Sequence, residues 1–145
     1  MRRAGFTLVE LVIVFTIALL MFSLIGTLST NTYPKSQLRS NALMVAQTLR
    51  EAQTFTISQK HDSVWGVHIA GGTMTLFAGT TYLMRNALYD RAHLFPSGIS
   101  ISGLTDVVFE ALRGTTLQSG TITLTSVATS ETITVTINQN GNVSY

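Results

Sequence analysis

Hydrophobic and polar positions fall into three regimes along the chain. From Phe6 to Leu28 nearly every position is apolar, interrupted by Thr7, Glu10, Thr16, Ser23, Gly26 and Thr27. A helix over these residues would be about 35 Å long, enough to cross a bilayer core of about 30 Å. The stretch "NTYPKSQ" then breaks the run. Pro34 disfavours a helical Tyr33, yet suits the first turn of a resumed helix. Beyond it Leu38, Ala42, Val45, Leu49 and Ala52 recur at alternating spacings of four and three. That is the stripe of an amphipathic helix, and it runs to about Ile57. Gln47, Arg50 and Glu51 fall off the stripe.

After Lys60 the period changes to two. Trp65, Val67 and Ile69 alternate with Val64, Gly66 and His68, and Ala70-Gly71-Gly72 reads as a hairpin turn before the returning strand "TMTLFA". Residues 79–98 show no sustained period and read as a long loop, with one helical turn around Asn86–Tyr89. "ISIS" and "DVVFEAL" are further strands. "TITLTS" and "ETITVTIN" set Ile122 and Leu124, and Ile133, Val135 and Ile137, on one face with threonines on the other. Asn140-Gly141 marks a turn before a last short strand, "NVSY". The pattern predicts an α+β chain: a long N-terminal helix, membrane-spanning in its first half and amphipathic in its second, packed on a mostly antiparallel β head. The implied divisions are a leader at 1–5, a transmembrane helix at 6–28, its continuation under the head at 29–60, and a β-rich head at 61–145.

Composition sharpens this picture in a few places. Charged residues make up 11% of the chain, against about a quarter in an average globular protein. The net charge of +2 leans on Arg2 and Arg3; without them seven basic side chains face seven acidic ones. No basic patch of the kind that nucleic acid demands is visible. There are no cysteines, so disulfides, thiolate nucleophiles and cysteine-based zinc sites are excluded. Two arginines precede the apolar run and no further Lys or Arg follows until Lys35, which places the N-terminus in the cytoplasm and the rest outside. On helix pattern alone the segment is a signal-anchor. No A-x-A cleavage site follows it.

Glu10 is the only charged side chain between Arg3 and Lys35. Its place near the cytoplasmic end of the span keeps the cost below the midplane value of about 3 kcal/mol, but a carboxylate there still wants a cationic partner. Here the letters carry a resemblance. "RRAGFTLVELVIV" resembles the class III signal of type IV pilins and type II secretion pseudopilins: a short basic leader, a glycine, then Phe-Thr-Leu-x-Glu and a hydrophobic helix. The resemblance implies a pilin-like fold, cleavage by a prepilin peptidase between Gly5 and Phe6, N-methylation of Phe6, and a role for Glu10 in assembly. The Glu10 carboxylate of one subunit would pair with the new Phe6 ammonium of a neighbour, so that two costly charges neutralise each other. One departure is the absence of a proline past the middle of the helix, where this chain has Gly26 and Thr27; both still weaken a helix.

The C-terminal stretch "VVFEALRGTTLQSGTITLTS…ETITVTINQNGNVS", with "LMVAQTLREAQTFTISQK" before it, resembles the GspH/FimT group of minor pilins and pseudopilins. The chain therefore reads as a structural subunit of a type IV pilus or type II secretion pseudopilus. The partners implied are other pilin or pseudopilin subunits, the prepilin peptidase, the inner-membrane assembly platform and the membrane itself. The location implied is the cytoplasmic membrane with the head outside, and then a filament. The alternatives are a major pilin, a DNA-binding minor pilin of a transformation pilus, and a membrane-anchored enzyme or solute-binding domain. The DNA reading would rest on Arg85, Arg91 and Arg113, which are dispersed in the sequence. His61, His68 and His93 are isolated, and no metal-binding, P-loop, dinucleotide or nucleophile-elbow motif occurs. His68 reads as a surface strand residue, and His61 with Asp62 as a solvated helix end. Tyr82, Tyr89, Trp65 and Phe95 read as packing rather than a recognition patch. No catalytic residue and no cofactor is implied.

Overall fold

The computed structural model describes residues 7–25 and 32–145. The chain divides into two units, Met1–Tyr33 and Pro34–Tyr145. In the first, α1 spans Leu8–Ile25. Its described side chains, through Phe22, are all exposed. Among the described residues no helix is long and apolar enough to cross a membrane. The proposed span at 6–28 reaches past α1 at both ends. Gly26 and Thr27 lie outside the described residues, as does any link between the helices.

The helix α2 spans Thr32–Ile57 and belongs to the second unit from Pro34 on. It begins earlier than the Pro34 argument allows, with Tyr33 already helical. Pro34 thus falls in the first turn, where its missing N–H leaves no intrahelical bond unmade. The stripe Leu38, Ala42, Val45, Leu49 and Ala52 is buried throughout. Ala42, Ala46 and Ala52 are small enough to let strands approach closely on this helix.

Eight strands follow: β1 Trp65–Ala70, β2 Thr73–Ala78, β3 Asn86–Leu94, β4 Ile99–Gly103, β5 Asp106–Val108, β6 Gly120–Ser126, β7 Thr132–Ile137 and β8 Val143–Ser144. They form two four-stranded sheets, β3-β2-β1-β5 and β4-β6-β7-β8, antiparallel throughout. One core joins α2 to both. Trp65, Val67, Ile69, Met74 and Leu76 enter it from the first sheet, and Ile122, Leu124, Val135 and Ile137 from the second. The chain is an α+β protein consistent with a pilin-like fold.

The two sheets meet where one extended segment changes partner. β4 pairs with β6 in the register Gly103↔Ile122, and Leu104 N–H still donates to Thr121 O at 3.0 Å. Then Ile69 N–H donates to Thr105 O at 2.7 Å, and β5 pairs with β1. Gly103 makes the bend with φ of 105°, and a Cβ there would lie 2.1 Å from Thr121 O, so only glycine fits.

Three readings of the sequence need correction. Residues 79–98 are not one loop, and Asn86–Tyr89 is not a helical turn: Asn86–Leu94 is the nine-residue edge strand β3. Its alternation is illegible because none of its residues is fully buried. Its register with β2 also shifts between Leu76 and Ala78. "DVVFEAL" is strand only through Val108, after which the chain turns at Leu112 and Gly114, both with positive φ. Ile133 is only half-buried, unlike Val135 and Ile137 on the same face of β7. His61 and Asp62 are exposed, and the His61 ring also stacks on Tyr89 at 4.1 Å between centroids.

Candidate functional site

Of the three residues singled out at the N-terminus, Gly5 and Phe6 lie outside the described residues. Glu10 lies in the first turn of α1. Thr7 precedes the helix and caps it. Its carbonyl accepts from Leu11 N–H at 3.3 Å, and its Oγ1 accepts from Glu10 N–H at 3.4 Å. Thr7-x-x-Glu10 is therefore the spacing of a capping box, in which a threonine at the cap and a glutamate three residues on satisfy the first helical amides. The position suits a carboxylate, because the helix N-terminus carries partial positive charge.

Thr7 was not anticipated from the sequence, although a threonine three residues before Glu10 is the signal that finds it. A further polar group inside the run is also satisfied locally: Thr16 Oγ1 donates to Val12 O at 2.7 Å. The Glu10 carboxylate has no ion-pair partner among the described residues. The helix thus presents one charge near its start on an otherwise largely apolar exposed surface that runs from Leu8 at 82% exposed to Phe22 at 79%. Such a surface calls for lipid or other helices, and the charge calls for a cation at the same depth.

The head holds a second group of polar residues that sequence spacing does not bring together. His68 Nδ1 lies 2.7 Å from Asp106 Oδ1. The His68 ring stacks on Tyr82 at 3.8 Å, and the Arg85 guanidinium lies 3.8 Å from the same ring centroid. Two flat groups so close to one ring occupy its opposite faces. Arg85 Nε in turn donates to Asp90 Oδ2 at 2.7 Å. That hydrogen bond raises the Arg85 pKa further, so the guanidinium stays charged. His68 is accordingly no plain surface residue. It anchors the 79–85 loop to the outer face of the first sheet.

These contacts are structural in chemistry. Among the described residues, no group of three histidines, cysteines or acids could hold a metal ion. His93 meets Phe95 edge-on at 5.5 Å, and Trp65 and Phe95 are core residues. Arg91 pairs with Glu51 at 2.7 Å, so two of the three arginines of the DNA reading, Arg85 and Arg91, carry a carboxylate partner.

No curated protein and no solved structure matches the chain significantly. Residues 1–26, however, match the family model of the prokaryotic N-terminal methylation motif, and in this segment the chain is similar to the class III signal peptides of type IV pilins.

Proposed function

We propose that the protein is a type IV pilin-like structural subunit, of the minor pilin or pseudopilin sort that the GspH/FimT resemblance suggests. The observation that carries this reading is the methylation motif at residues 1–26, with its Gly5-Phe6 junction and Glu10. A prepilin peptidase removes residues 1–5 and methylates Phe6. The helix from Phe6 to Leu28 holds the precursor in the cytoplasmic membrane with the head outside, and later packs against the helices of other subunits in a filament. Glu10 supplies the counter-charge for the Phe6 ammonium of a neighbour. The capping geometry supports this role, because the Thr7 hydroxyl on the Glu10 amide holds the first turn in shape. The head performs no chemistry in this account.

Mass spectrometry of filament-derived protein tests the processing: residues 1–5 should be missing and Phe6 should carry a methyl group. Intact Met1 on assembled protein would overturn it. Glu10→Gln tests the assembly role. That variant should insert, be cleaved and fold normally but co-assemble poorly with its partner subunits, since removing the carboxylate strips the neighbour's ammonium of its counter-ion in a medium of low dielectric constant. Incorporation at the wild-type level would refute the pairing.

A further inference from the structure

A trench runs along the outer edge of β5. It consists of two cavities of about 360 and 250 Å³ that share Thr80, Val108 and Gln118. Backbone direction explains its chemistry. Phe109 N–H donates to Trp65 O and Ile69 N–H to Thr105 O, so odd-numbered residues of this segment face β1. Asp106 and Val108 therefore turn their N–H and C=O groups away from the sheet, into the trench.

At both ends that edge is closed by backbone pairing, Leu104 N–H to Thr121 O at 3.0 Å and Glu110 N–H to Thr115 O at 2.7 Å. Between them no backbone partner is present. Side chains substitute for it: Val108 N–H donates to Gln118 Oε1 at 3.2 Å, and Thr116 Oγ1 donates to Val108 O at 2.8 Å. The rims are apolar and exposed, Leu83 at 92% and Leu117 at 81%. The loop carrying Leu83 is not slack, since Tyr82 is clamped between His68 and Arg85. Two carboxylates line the trench, Asp106 against His68 and Glu110 accepting from the Thr115 hydroxyl, and among the described residues no Lys or Arg lines it.

We propose that the trench docks a short extended segment of another protein chain, apolar at its centre and flanked by Lys or Arg. The segment adds to the β5 edge as a strand. Its backbone replaces the Gln118 side chain on the Val108 N–H and engages the open groups of Asp106, while the buried Thr116 keeps its bond to Val108 O. Its central side chain seats between Leu83 and Leu117. Its cationic ends face Asp106 and Glu110. An unpaired strand edge specifies an extended backbone, the exposed leucines specify an apolar side chain, and the carboxylates specify the charge. The rigid loop lowers the ordering cost of binding. The N-terminal motif takes no part, so failure of this inference leaves the assembly reading standing, and the reverse.

The test uses the full-length protein in detergent micelles, titrated with the capped pentapeptide Lys-Val-Val-Val-Lys and followed by NMR of backbone amides. Shifts should concentrate at Val108, Leu117, Gln118 and Leu83, and the Val108 amide should gain protection from exchange. A peptide with proline at its centre cannot complete the ladder and should bind about tenfold more weakly or worse. A Glu-for-Lys peptide should also weaken. The Leu83→Ser/Leu117→Ser variant changes only exposed side chains, keeps the fold, and should lose a similar factor. Saturating peptide without shifts at Val108, or equal binding of the proline peptide or by the double variant, would overturn the proposal.

Discussion

Thr56 fastens the end of α2 to the first strand, and its hydroxyl is the most economical place to test how this head is held together. The residue is 1% exposed. Its Oγ1 donates to Ala52 O at 2.9 Å and accepts from Trp65 N–H at 2.8 Å. Thr56→Val keeps shape and helix propensity nearly unchanged but leaves the Trp65 amide buried without an acceptor, a penalty of about 1–3 kcal/mol. Thr56→Ser keeps the hydroxyl and removes a methyl, worth roughly 0.8 kcal/mol in burial. Valine should therefore destabilise more than serine, although it is the closer match in volume. Trp65 is the sole tryptophan, so urea unfolding followed by its fluorescence reads the joint directly. The midpoint should drop with the slope unchanged. If Thr56→Val proves as stable as wild type, or more stable than Thr56→Ser, this hydroxyl does not hold the joint and the reasoning fails.

Three further substitutions probe the faces of the sheets. At Gly66 a Cβ would meet Val107 O at 2.7 Å and Phe77 Cζ at 2.8 Å; Gly66→Ala should cost about 1–3 kcal/mol by overpacking, measured as a lower urea midpoint. On β7, Val135 is 1% exposed while Thr134 is exposed. Val135→Asp should prevent stable folding, because an unpaired charge would enter the core, and Thr134→Asp should stay within about 0.5 kcal/mol of wild type; circular dichroism of both variants checks the ordering.

What the sequence made legible followed from periodicity. The α2 stripe and the strands β1, β6 and β7 turn alternate apolar residues to a single core, so those residues recur with the period of their secondary structure. The first turn of α1 was legible for another reason: Glu10 is anomalous in an apolar run, and an anomaly of that cost needs a partner. β3 was not legible. It is an edge strand with an irregular register, and what holds it is specific rather than periodic: Arg91 on Glu51, Tyr89 on His61, and Arg85 on Asp90. The His68–Asp106 contact was hidden likewise, since 38 residues separate the partners and only the β1–β5 register brings them opposite each other.

The outer face of the first sheet shows how these illegible parts depend on one another. Phe77 is fully buried yet stands outside the main core. It lies opposite Gly66 across the β1–β2 ladder, and the absent side chain of Gly66 is what lets the phenyl ring lie flat there. That ring is covered in turn by Tyr82, edge-on at 5.5 Å. Tyr82 is held by His68 and Arg85, which are held by Asp106 and Asp90. Each contact needs the previous one, and none is signalled by a local pattern. The result is a small second core with a firmly seated loop above it. A loop that merely connected strands would need no such support. Fixing it in place keeps Leu83 exposed at the rim of the β5 trench.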